Sequence, residues 1–133
     1  MISNVISTIN KEINVFFRRR FDLNEDRLLT SQLVNQDGSV AFLGENRLVC
    51  SLINIEEERV QLNFGGSTSP KTNPPVYLNL YLLYSAYFSS ENYDEAFKFL
   101  SALVGFFQTK SVFTPQNTPG LSPQIDKITF EII

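Results

Sequence analysis

The stretch SLINIEEERV, Ser51 to Val60, sets an apolar run directly against three consecutive glutamates. Together with the residues before it, Leu48, Cys50 and Leu52 fall on one face of an extended chain, and Val49, Ile53 and Ile55 on the other. A strand apolar on both faces is covered on both sides and sits centrally in its sheet. The glutamates are then either working carboxylates or the wet end of that strand. Extended backbone points Glu56 and Glu58 to one face and Glu57 to the other, so only two could converge. No Asp-rich loop of calcium-binding spacing accompanies them. They read as a solvated strand end, or as one that pairs across an interface.

Working outward, strand signals continue on both sides. Upstream, turn residues at Asp37-Gly38 and at Gly44-Glu45-Asn46 separate short strand-like runs. Downstream, Val60, Leu62 and Phe64 alternate with Arg59, Gln61 and Asn63. Gly65 to Pro75, GGSTSPKTNPP, reads as a surface loop or a partner-contacting arm; it lacks the lysine-serine/threonine ending of a phosphate-binding loop. Val76 to Phe88 carries the strongest alternation. Val76, Leu78, Leu80, Leu82, Tyr84 and Ala86 form an apolar face, against a second face rich in tyrosine. Tyrosine suits a surface that is dry on one side with a hydrogen-bonded tip, either beneath a helix or at an interface. Near the end of the chain, Ile125, Ile128, Phe130 and Ile132 mark a final strand, broken in phase near Asp126-Lys127. An apolar terminus at Ile132-Ile133 implies a strand pinned in a sheet, or a piece of a longer protein.

Two helices frame these strands. Ile2, Val5, Ile6, Ile9, Ile13, Phe16 and Phe17 recur at three- and four-residue steps, with Ser7, Asn10, Lys11, Glu12 and Asn14 opposite. Arg18, Arg19 and Arg20 close this helix, where positive charge complements the helix dipole; a partner-binding patch is the other reading. The second helix starts at Asn92, with Glu95 three residues on in a capping-box arrangement. Its core stripe reads as Tyr93, Ala96, Phe97, Leu100, Leu103, Val104 and Phe107. Phe99 and Phe106 lie off it, which predicts burial on two sides, by a second layer or by a neighbouring subunit.

Composition narrows the chemistry. With 133 residues, 43% of them hydrophobic, the chain is long enough for one domain with a real core. Its 11 basic and 14 acidic residues leave a net charge of −3, and only Arg18 to Arg20 cluster, which argues against a nucleic-acid partner. There is no histidine, hence neither the commonest general base nor the commonest transition-metal ligand. The single cysteine, Cys50, forms no internal disulfide and is expected to be buried as a small hydrophobe. No catalytic, metal or cofactor residue is assigned. The N-terminus does not read as a signal peptide, and the longest apolar segment falls short of the roughly 20 residues that span a bilayer, so a cytoplasmic protein without membrane insertion is expected.

Taken in order, SLINIEEE, PPVYLNLYLLYSAYF and YDEAFKFLSALVGFFQTKSVFTPQNTP resemble the N-terminal domain of the cap, or tube-terminator, proteins of phage-tail-like contractile injection systems of the antifeeding-prophage type. The specific matches are Leu52, Asn54, Ile55, Glu56 and Glu58; then Leu78, Asn79, Leu80 and Leu83; then Tyr93, Leu100, Phe107, Gln108, Phe113, Asn117 and Pro119. The resemblance runs from the first helix to the last strand. Similar proteins usually continue into segments containing tryptophan, which this chain lacks; it is read as a single domain, residues 1–133, either whole or the N-terminal part of a longer chain.

The resemblance implies an α+β tail-terminator fold: a mixed, mainly antiparallel sheet with two main helices packed on it. It implies a hexameric ring on the distal end of the inner tube, in contact with the last layer of the sheath, with no cofactor and no reaction. Assembly is expected in the cytoplasm, as part of a contractile particle. The long irregular stretches supply candidate docking arms: Pro70, Lys71 and Asn73 in one, and Phe113, Asn117 and Pro119 in and beside the proline-rich Thr114 to Pro123. Arg18, Arg19 and Arg20 of one subunit are expected near Glu56, Glu57 and Glu58 of the next, since charge sets orientation more than affinity. A monomeric adaptor binding a peptide along a sheet edge, or a small carboxylate enzyme, remain the other classes.

Overall fold

The structure, a computed structural model, describes residues 1–40, 46–58 and 76–133. The turn at Gly44-Glu45, the alternation from Val60 to Phe64 and the arm bearing Pro70, Lys71 and Asn73 lie outside the described residues.

The described chain runs α1 (Ile2–Phe21), β1 (Leu28–Thr30), β2 (Arg47–Glu57), β3 (Leu78–Tyr87), α2 (Tyr93–Thr109), β4 (Val112–Phe113) and β5 (Ile128–Thr129). It is an α+β fold, as the resemblance implies. One sheet has the order β1-β2-β3, with β1 parallel and β3 antiparallel to β2; β4 and β5 form a separate antiparallel pair. The strand read as central is central. The closing strand is shorter than expected, reduced to Ile128–Thr129.

A β-bulge falls between Leu52 and Asn54, leaving Ile53 without a partner on β3. The extra residue shifts the alternation. Ile55 pairs with Leu80 and therefore joins the face of Leu48, Cys50 and Leu52, not that of Val49 as the sequence suggests. Both helices cover this face. Ile9, Ile13 and Phe17 of α1, Leu48 and Cys50 of β2, and Phe99 of α2 are essentially without exposure, and Leu80, Leu82, Tyr84 and Ala86 pack against them. The tyrosine-bearing face of β3 is therefore the one turned away from the two helices.

Coverage of β2 ends early. Leu48, Val49 and Cys50 are buried, whereas Leu52, Ile53 and Ile55 are exposed, so the expectation of burial on both sides holds for the first half only. Beside β2, β1 likewise pairs with Leu48 to Cys50 alone. Farther along, β2 and β3 continue together as a two-stranded ribbon to the Glu57–Leu78 pair.

The second helix sits differently from its predicted stripe. Ala96, Phe99, Ala102, Leu103 and Phe107 are buried, while Tyr93, Phe97 and Val104 face outward. Phe99 is enclosed by Phe17, Phe21 and Phe88, with the Phe17 ring edge-on at 5.4 Å. The helix is buried on one side within the described residues. Asn92 occupies the N-cap position without a side-chain capping bond; its amide donates back to Ser89 Oγ (3.0 Å), just before the single 3-10 turn Ser90–Asn92.

Polar side chains tie the layers together where strands do not. Asn14 brackets Leu28 with both amide groups, donating to its carbonyl and accepting from its N–H at 3.0 Å, which satisfies the outer edge of β1. Asn10, predicted on the wet face of α1, is buried instead. It donates to Thr30 Oγ1 and accepts from the Tyr84 hydroxyl, both at 2.9 Å.

Candidate assembly surfaces

The acidic end of the sheet is built by strand pairing. Glu56 lies opposite Asn79 and Glu57 opposite Leu78, and the N–H of Glu58 donates to the Tyr77 carbonyl at 2.9 Å. All three glutamates are exposed. Glu56 Oε2 accepts from the Tyr81 hydroxyl at 3.3 Å, and the Glu56 charge is the main reason the Tyr81 phenol lies above its ordinary value. Among the described residues no group of three or more Cys, Asp and Glu side chains is placed to hold a metal ion.

The basic end of α1 divides into two parts. The Arg18 guanidinium is ion-paired with Asp26. Arg19 and Arg20 are exposed and make no ion pair among the described residues; Arg20 lies over the Phe21 ring at 5.9 Å. Asp22 terminates the helix in the left-handed region, φ 52°, and Leu23 N–H returns to the Arg18 carbonyl. Two further arginines brace the start of β2 beside it. Arg47 donates to the Asp26 carbonyl (2.7 Å) and Arg27 to the Asn46 carbonyl (3.1 Å), with Glu25 within 4.0 Å of both guanidinium groups. Glu57 lies ten residues along the strand from Arg47, about 33 Å at the usual rise. The structure therefore does not bring Arg18 to Arg20 together with Glu56 to Glu58 within one molecule.

The proline-rich stretch is tied to the rest of the domain at several points. Phe113 is wholly buried, so it belongs to the core. Asn117 is exposed but folds its own loop: its Oδ1 accepts from Thr114 N–H (2.8 Å) and from Thr118 Oγ1 (2.7 Å), and its Nδ2 donates to the Val112 carbonyl (3.1 Å). Pro119 is exposed. The next residues are pinned to α1, where Asn4 donates to the Gly120 carbonyl (2.9 Å) and accepts from Ser122 N–H (2.8 Å).

Three features escaped the sequence reading. Lys110 joins Glu12 on α1 at 3.0 Å to the Asn117 carbonyl at 2.9 Å, with Phe113 beneath it. The outward stripe of α2 is apolar, with Lys98 beside it. Leu52, Ile53, Ile55 and Leu83, in the outer half of the β2–β3 ribbon, are exposed apolar residues. The surplus of apolar residues around α2 was the only available signal for the second feature, and it does not say which of them face out.

No helix of the described residues is long and apolar enough to cross a membrane. No curated protein matches the chain. The family model described as the Pvc16 N-terminal domain matches residues 4–133, nearly the whole chain. This chain therefore belongs to the Pvc16 N-terminal domain family and is related to phage-tail-like contractile injection systems.

Proposed function

We propose that the protein is a cap. Copies form a hexameric ring on the distal end of the inner tube, contact the last layer of the sheath, and stop both from growing. Its partners are itself, the tube protein and the terminal sheath protein; it binds no nucleic acid, uses no cofactor and catalyses no reaction. The observation that carries this reading is family membership across residues 4–133. The chemistry of the chain supports it: there is no histidine, and the exposed glutamates alternate between the two faces of a ribbon instead of converging. The product of such a protein is a shape that matches a polymer end on one side and offers no copy of it on the other.

Particles from a deletion strain, imaged by negative stain, test the role. Overlong or unsealed tubes are expected, with normal length restored by the wild-type protein, and a labelled copy is expected at one tip. Label distributed along the tube, or normal particles in its absence, would overturn the reading. One observation favours an adaptor as the second reading: beyond Cys50, the edge of β2 opposite β3 has no strand partner among the described residues. An adaptor sediments as a monomer with or without tubes, which separates the two.

A further inference from the structure

The core leaves two surfaces that are apolar and carry unpaired charge of opposite sign. The first is the outward stripe of α2. Tyr93 and Phe97 are 56% and 51% exposed and meet edge to face at 4.9 Å. Val104 extends the stripe by two turns. Arg20 of α1 and Lys98 line one shallow depression with Phe97 and Ser101. Neither cation makes an ion pair among the described residues, not even with the first-turn acids Asp94 and Glu95. The second surface is the helix-side face of the outer half of the β2–β3 ribbon, where Leu52 and Ile55 are exposed. It ends in Glu57, with Glu56 and Glu58 at its border, and none of the three makes an ion pair among the described residues.

We infer that these are the two halves of one contact between copies of this chain: the Leu52–Ile55 face of the ribbon of one copy lies on the α2 stripe of the next, which sets the acidic ribbon end, Glu57 flanked by Glu56 and Glu58, against Arg20 and Lys98. The inference rests on the ring reading and gives it residues. A second copy is the occupant because each surface carries the complement that the other lacks, apolar centre to apolar centre and acid to base. The halves are different patches, so the contact is head-to-tail, the kind that closes into a ring. Exposed aromatic anchors supply affinity at such a contact, and charges at its rim set orientation. Arg18 takes no part because Asp26 holds it, and Lys98 stands in its place.

Charge reversal on the full chain tests the pairing. One variant carries R20E and K98E; the other carries E56K, E57K and E58K. All five residues are exposed, so both variants are expected to keep the wild-type thermal unfolding curve by circular dichroism. In sedimentation velocity the wild type is expected to form rings. Each reversed protein has like charges on both halves and should associate about 100-fold more weakly, since like-charge contacts cost several kcal/mol. Mixed one to one, the two variants can alternate with both contacts complementary, and rings should return. Phe97→Ser, neutral in charge, should also weaken association without changing unfolding. A reversed protein or Phe97→Ser that assembles like the wild type, or a mixture that stays apart, overturns the pairing while leaving the ring reading intact. A wild type that stays monomeric at every concentration, with tube ends present, overturns both.

Discussion

Tyr84 shows how much one residue can hold in place. Its hydroxyl donates to Asn10 on α1, Asn10 donates to Thr30 on β1, and the Cys50 thiol of β2 lies beside them. One small polar group thus links the helix to all three strands of the main sheet. Burial, and secondarily the adjoining Cys50 thiol, pushes the phenol far above its ordinary value of 10.0. Burial likewise pushes Cys50 above 9.0, against the hydrogen bonds to Asn10 and Tyr84. Both are acids that the fold keeps neutral. Where the unfolded chain releases these protons and the folded chain retains them, stability falls as pH rises. The decline is therefore absent well below pH 9, begins as the thiol of the unfolded chain titrates around 9.0, and deepens as its phenol titrates around 10.0. Urea unfolding across this range should show the decline, and Tyr84→Phe should make it shallower. At neutral pH the same variant should lose about 1–3 kcal/mol, because Asn10 Oδ1 is left buried without its donor. Nothing local announces this network. Asn10 has a polar neighbour on each turn of α1, and its partner Tyr84 is 74 residues away.

At the scale of elements, α2 is the instructive case. Its existence was legible from apolar spacing, and the acids Asp94 and Glu95 mark its start. Its orientation was not. Apolar residues surround more than half the helix, so several stripes satisfy the same three- and four-residue steps. Contact with Phe17, Phe21 and Phe88 selects the one centred on Phe99. Substitution separates the two stripes. Phe99→Ala should cost about 3–5 kcal/mol in chemical denaturation, and Phe97→Ala, on the exposed side, about 0.5 kcal/mol or less. Equal losses would mean that the outward face is also covered in the isolated chain. The bulge at Ile53 is a similar case: the sequence shows an unbroken apolar run, and only pairing with β3 reveals where one residue is left over.

For the molecule as a whole, the distribution of the core predicts uneven stability. The helices cover Leu48 and Cys50 on one face of the first half of β2, Val49 on the other face is also buried, and β1 and β3 flank this half. Among the described residues the outer half is a ribbon of two strands, and a two-stranded ribbon is at best marginally stable alone. Amide hydrogen exchange of the monomer should find Leu48 to Cys50 among the slowest positions and Asn54 to Glu57 faster by several orders of magnitude, because local opening spares the core. In the assembled ring the outer ribbon should slow towards the core, as the contact proposed above requires. Uniform protection along β2 in the monomer would show that the ribbon is already supported.

The sequence by itself determined the two helices, the central place of Leu48 to Cys50, the burial of Cys50 and the absence of histidine chemistry, because these depend on composition and local periodicity. It also carries the ordered motifs of the family whose model matches residues 4–133. Tertiary structure alone decided which face of α2 is wet, that Asn10 is buried, that Asp26 takes Arg18, and that β2 outruns its cover. Each of those depends on a partner distant in the chain, and periodicity records only that a face is apolar, not what arrives to cover it.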